Sequence, residues 1–103
     1  MNAQPTLASL RRLNELWQEA DSAAEKAEYT KWNECLDRIY CNLIYIDLEQ
    51  SKEGRLHKKL TKQVLKSQMS YKKNKDINMR SKLYRSLMQK DIWLRRWMLK
   101  HKL

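Results

Sequence analysis

One glycine, Gly54, and one proline, Pro5, are the only residues of their kinds among 103 positions. A sheet domain needs a turn roughly every ten residues, and those turns draw on glycine for positive φ and on proline for a fixed φ. This chain cannot supply them. It is rich instead in Leu, Lys, Glu, Arg, Gln and Met, which lose little side-chain freedom in a helix. The expected fold is all-α, a small bundle of three to four helices forming one domain over residues 1–103. A core of this size is modest, so stability has to come from close helix packing or from oligomerisation.

Apolar spacing places the helices. Pro5-Thr6 opens the first, with Thr6 as N-cap, and Leu7, Leu10, Leu13, Trp17 and Ala20 form one face. Ser22 and Glu25 make a capping box that predicts a break at Asp21-Ser22 and a new helix after it; one unbroken helix is the alternative. Tyr29, Trp32, Leu36, Ile39, Leu43 and Ile46 then alternate three and four apart. Cys41, Ile44 and Leu48 add a second strip, the pattern of a central core helix. The same ladder is long enough for a coiled-coil-like homodimer seam. Gly54 predicts the end of this helix as a C′ residue. A third helix is expected from Leu56 to Tyr71, with Leu56, Leu60, Val64 and Tyr71 on one face. A charged loop follows at Lys72–Asp76, and then a fourth helix from Asn78 to Lys100 with a Leu83, Leu87, Leu94, Met98 stripe.

Charge divides at Gly54. Residues 1–53 hold 6 Lys/Arg and 10 Asp/Glu; residues 54–103 hold 16 Lys/Arg and only Asp76 and Asp91 as acids. The acidic half can neutralise the basic half, or the basic half can meet an anionic partner. On a helical wheel Arg55, Lys58, Lys59, Lys62, Lys66 and Lys73 share one arc of the third helix, opposite the Leu56–Tyr71 face. Lysines at that spacing repel one another, and no acid between Gly54 and Lys75 compensates. A solvated face usually mixes signs. The row fits a polyanion, DNA or RNA, contacted through its phosphates with little sequence specificity. Gln63, Ser67, Gln68 and Ser70 flank it as hydrogen-bond donors. Lys72 and Lys75 extend the surface through the loop, and Arg80, Arg85, Arg95 and Arg96 extend it along the fourth helix. The loop between the two basic helices is also compatible with a helix-turn-helix, though nothing marks a recognition helix.

The C-terminal stretch interleaves Trp93 and Trp97 with Arg95 and Arg96. Core burial against Trp17 or Trp32 is the default for such large aromatics. An anionic-membrane or partner-docking helix, and stacking on unpaired bases, are the functional readings.

Enzyme classes find little support. One glycine excludes a P-loop or dinucleotide fingerprint. His57 and His101 lie far from each other and from Cys35 and Cys41, so no metal or cofactor is expected, and His57 reads as part of the cationic face. Glu15, Glu19, Asp21, Glu25, Glu28, Glu34 and Asp37 read as helix-surface carboxylates. Cys35 and Cys41, about 9 Å apart along a helix axis, cannot bridge and read as two buried thiols. No run approaches the roughly 18 apolar residues of a membrane span, and Met1–Leu10 does not resemble a secretory signal. The expectation is a cytoplasmic protein, or a nuclear one in a eukaryote, that binds nucleic acid. The alternative is a small helical adaptor, scaffold or inhibitor of the phage or viral accessory kind, docking its basic half on an acidic protein surface.

Overall fold

The computed structural model describes residues 7–45 and 50–100. Among them are four helices and no strand: α1 (Leu7–Glu25), α2 (Tyr29–Tyr45), α3 (Gln50–Lys73) and α4 (Ile77–Lys100). Pro5, Thr6, Ile46 and Leu48, to which the sequence assigns roles, lie outside the described residues. No described helix is long and apolar enough to cross a membrane.

α1 pairs with α2 and α3 with α4. Three-residue connections, 26–28 and 74–76, leave neighbouring helices an antiparallel course. α2 also packs across α4 and touches α3, so α2 and α4 lie inside and α1 and α3 outside. The result is a slab of 47 × 27 × 17 Å. Its core joins Leu13, Leu16 and Ala20 of α1 to Leu36, Ile39 and Leu43 of α2, Val64 of α3, and Leu87 and Leu94 of α4. The described part of the α2 ladder, Tyr29 to Leu43, packs against this chain's own helices. Trp32, Leu36, Ile39 and Leu43 are buried within this one chain.

Three boundaries differ from the sequence expectation, each for a local reason. α1 runs straight through Asp21-Ser22, because Ala20 and Ala23 continue its buried stripe on both sides of that point. Ser22 does not cap a new helix; its carbonyl accepts the Lys26 N–H inside the last turn of α1. The stop comes at Ala27, in the left-handed region at φ 58°. There the Glu28 N–H bonds to the Ala23 carbonyl and the Ala27 N–H to the Ala24 carbonyl, a Schellman closure with alanine where glycine is usual.

Gly54 does not terminate α2. It lies inside α3 without a positive φ, and a Cβ there would stand 3.2 Å from the Tyr40 hydroxyl. The glycine serves a close approach between helices rather than a cap. The third boundary, α3 to α4, falls at 74–76, where Asp76 caps α4 by accepting the Met79 N–H at 2.8 Å.

Several burial expectations also change. Leu7 and Leu10 of α1 and Leu56 of α3 are exposed. Cys35 is buried but Cys41 is exposed, because Cys41 shares the outer arc of α2 with Thr30, Glu34 and Arg38. Trp97 is buried in the core and Trp93 is half-buried against it. They stack on each other at 5.5 Å, and Tyr40 is their ring neighbour at 6.3 and 5.8 Å.

Candidate nucleic-acid interface

The α3 row emerges as the wheel places it. Arg55, Lys58, Lys59, Lys62, Lys66 and Lys73 are all exposed, while Leu60 and Val64 on the opposite side are buried. Leu65 and Met69, 48 % and 66 % exposed, lie beside the lysines on the same outer surface. α4 contributes a second row. Lys82, Arg85, Arg96 and Lys100 are exposed along its outer arc, with Lys82 and Lys100 additional to the sequence-derived set.

A groove of about 340 Å³ joins the two rows, lined by Gln63, Lys66 and Ser67 of α3 and by Lys82, Arg85, Ser86 and Gln89 of α4. Ser67 and Ser86 hydroxyls meet across it at 3.1 Å. Cations bordering hydroxyl and amide groups are the usual furniture of a phosphate-contacting surface. At the end of the bundle Lys72, Lys75 and Arg80 line a further groove beside Tyr29 and Tyr71. The predicted cations thus converge on the α3–α4 hairpin, with one exception.

Arg95 lies on the other side of α4. Its Nε donates to Asp91, its Nη2 to Asp21 of α1, and its guanidinium sits 4.2 Å from the centre of the Trp17 ring. Burial lowers the Arg95 pKa, but Asp91 and Asp21 outweigh it and hold the pKa above the ordinary arginine value. Arg95 is a helix-bridging residue rather than an open cation.

The acids of the basic half are both spent internally. Asp76 caps α4, and Asp91 is buried, accepting from Trp32 Nε1 at 3.0 Å and from Arg95. Among the described residues the acidic half reaches across through Asp37 to Lys90 and His57, and through Asp21 to Arg95. Among the described residues Arg55, Lys58, Lys59, Lys62, Lys66, Lys72, Lys73, Lys75, Arg80, Arg85 and Arg96 make no ion pair. Among the described residues, the ion pairs between the halves engage Lys90, His57 and Arg95 rather than this exposed set.

A buried polar cluster, unread in the sequence, fixes the α3–α4 hairpin to α2. Lys90 is 0 % exposed, and its ammonium donates to Asn33 Oδ1 at 2.8 Å and to Asp37 Oδ1. Asp37 Oδ1 also lies 3.2 Å from His57 Nε2, and the His57 ring stacks on Tyr40 at 3.7 Å. So His57 is a half-buried bridge, not part of the cationic face, and Asp37 is more than a surface carboxylate. Desolvation raises the Asp37 pKa, but hydrogen bonds from His57 and Lys90 and the lysine charge win, leaving it below the usual value. Desolvation dominates at Lys90 and lowers its pKa despite Asp37. Burial, reinforced by Glu19, pushes the Cys35 thiol up, which makes it a poor nucleophile. The signal for this cluster was available. The Leu83, Leu87, Leu94, Met98 stripe skips a turn, and Lys90-Asp91 occupies it.

No group of three His, Cys, Asp or Glu among the described residues is placed to hold a metal ion. No protein-family model, curated protein or solved structure matches the chain.

Proposed function

We propose that this protein is a non-enzymatic nucleic-acid-binding protein of low sequence specificity, which lays the α3–α4 hairpin along the phosphate backbone. The observation that carries the reading is the fate of Asp76 and Asp91. Both acids of the basic half are used inside the fold, and among the described residues the exposed cations of the hairpin named below make no ion pair. Such a surface attracts a polyanion and releases its condensed counterions on binding. Arg55, Lys58, Lys59, Lys62 and Lys66 make the α3 contacts, and Lys72, Lys73, Lys75, Arg80, Arg85 and Arg96 continue the surface. Lysines predominate in the α3 row, and a lysine ammonium meets phosphate as a point charge, which supports contact of low sequence specificity.

A second reading has its own support. Leu65 and Met69 are exposed among the lysines, and an apolar strip edged by cations suits an acidic amphipathic segment of a partner protein. The test is a salt series with duplex DNA, single-stranded RNA and an acidic helical peptide. Nucleic-acid affinity that falls steeply with log salt, with a slope of about 0.9 per phosphate contact, supports the first reading. Absence of nucleic-acid binding at moderate salt overturns it, and peptide binding with a shallow salt slope then favours the adaptor.

A further inference from the structure

Three tyrosines gather where the α1–α2 and α3–α4 connections come together. Tyr29 opens α2 and Tyr71 lies near the end of α3; their rings meet edge to face at 6.5 Å. Tyr84 lies on α4, with its ring 5.8 Å from the buried Trp32 and 45 % of its surface open. Two grooves run between them. One, of about 660 Å³, holds Tyr29 and Tyr71 with Lys72, Lys75 and Arg80; the other, of about 480 Å³, holds Tyr29 and Tyr84 with Arg80 and Arg85. Tyr29 and Arg80 line both, so the grooves adjoin and together make a tyrosine–cation cleft on this end of the bundle. Among the described residues no carboxylate lines either one.

We infer that this tyrosine–cation cleft holds an unstacked base of a single-stranded nucleic acid, DNA or RNA, with its flanking phosphates on Lys72, Lys75, Arg80 and Arg85. The inference rests on the nucleic-acid reading above and adds a strand preference to it. The α3 row contacts phosphates only, and phosphates do not distinguish a duplex from a single strand. An exposed tyrosine ring does, because a base in a duplex has both faces covered by its neighbours, while a single strand can offer one to an aromatic side chain. The two grooves supply such rings beside cations, and each falls within the roughly 300–1,000 Å³ of ordinary ligand clefts. Tyr29 and Thr30, the first residues of α2, line the larger groove, so the peptide dipole of that helix favours the phosphate charge as well.

The test compares labelled oligothymidylate, oligouridylate and a duplex of equal length, using the wild-type chain, Tyr84→Ala and Tyr84→Phe. Tyr84→Ala is expected to weaken single-strand binding at least about fivefold, the lower end of one base–aromatic stack, and to leave duplex binding unchanged, while Tyr84→Phe binds as wild type. In parallel, photocrosslinking of iodouracil-substituted oligouridylate to the wild-type chain should map to peptides carrying Tyr29, Tyr71 or Tyr84, which keeps the test valid if Tyr84→Ala fails to fold. A difference between oligothymidylate and oligouridylate assigns the strand type. Equal losses on single strand and duplex, no loss on either, or crosslinks confined to the middle of α3 overturn the cleft and leave the phosphate-binding reading standing. No binding to any of the three probes removes both.

Discussion

Lys90 Nζ donates a 2.8 Å hydrogen bond to Asn33 Oδ1, tying α4 to α2 at a point no solvent reaches. The second acceptor, Asp37, is 41 % exposed at its side chain. This asymmetry decides which partner is costlier to remove. Asp37→Ala leaves a fully buried ammonium with one neutral acceptor, and is expected to cost about 3 kcal/mol, the low end for an orphaned buried charge. Lys90→Met fills the same space and leaves Asp37 to water and His57. Its main cost is the unsatisfied Asn33 oxygen, about 1–2 kcal/mol. Urea unfolding with unchanged m-values measures both. A Lys90→Met chain less stable than Asp37→Ala contradicts the account.

The same pair sets a pH dependence. The folded pKa of Asp37 is below its ordinary 3.8, so its contribution is complete above that value and is lost as pH falls through the folded pKa. Lys90 has a folded pKa below its ordinary 10.5. Between those two values the unfolded chain binds more protons, so stability rises with pH across that window. Comparing wild type with Lys90→Met isolates the pair. Relative to the variant, the wild type should lose stability in acid below 3.8 and gain it on the approach to 10.5. Parallel stability-versus-pH curves would show that the pair does not titrate with folding.

Ala27 holds a left-handed backbone that disfavours any residue with a Cβ. Ala27→Gly removes that strain while adding some freedom to the unfolded chain. A net gain of about 1 kcal/mol is expected, or roughly 4–8 °C in Tm for a domain of this size. Calorimetry checks it, and an unchanged or lower Tm contradicts the strain at this turn.

Gly54 is the converse case. In a helix interior Gly→Ala normally gains about 1 kcal/mol, but here the new Cβ meets the Tyr40 hydroxyl at 3.2 Å. The Tyr40 ring is stacked on His57 and flanked by Trp93 and Trp97, so it has little room to yield. Gly54→Ala should therefore fall short of that gain. The same substitution in a Tyr40→Phe background should recover it, giving a coupling of about 0.5–1 kcal/mol in a double-mutant cycle. Additive effects would place the two residues out of contact.

These residues show what could be read from the sequence. Helix periodicity is local, so the stripes around Leu36, Val64 and Leu87 and the Arg55–Lys66 cation row are legible from spacing alone. Boundaries depend on competition between local signals and packing. The Ser22 capping box lost to the buried Ala20 and Ala23, and Gly54 answered a demand made by Tyr40, fourteen positions earlier. The tyrosine–cation cleft draws its walls from three helices and two connections, and no window of sequence holds it. Lys90 lies between these cases: the skipped turn in the α4 stripe is visible, but its partners Asn33 and Asp37 come only from the packing of α2.

Arg95 and the Lys62–Lys66 pair separate structure from binding. Arg95→Ala removes the bridge from α4 to Asp21 and leaves the buried Asp91 with Trp32 as its remaining side-chain donor. Because Arg95 is 43 % exposed, the expected cost is modest, about 1–2 kcal/mol. Nucleic-acid affinity of the folded fraction should change little. Lys62→Gln combined with Lys66→Gln alters only exposed side chains, so stability should stay within about 0.5 kcal/mol. Its binding should weaken similarly for every sequence tested, and the salt slope should drop by about two, one unit for each phosphate contact removed. Thermal unfolding and a salt-dependent titration on the same three proteins measure both effects. If Arg95→Ala lowers the salt slope as the lysine pair does, the line drawn here between the bridging arginine and the open cation row is wrong.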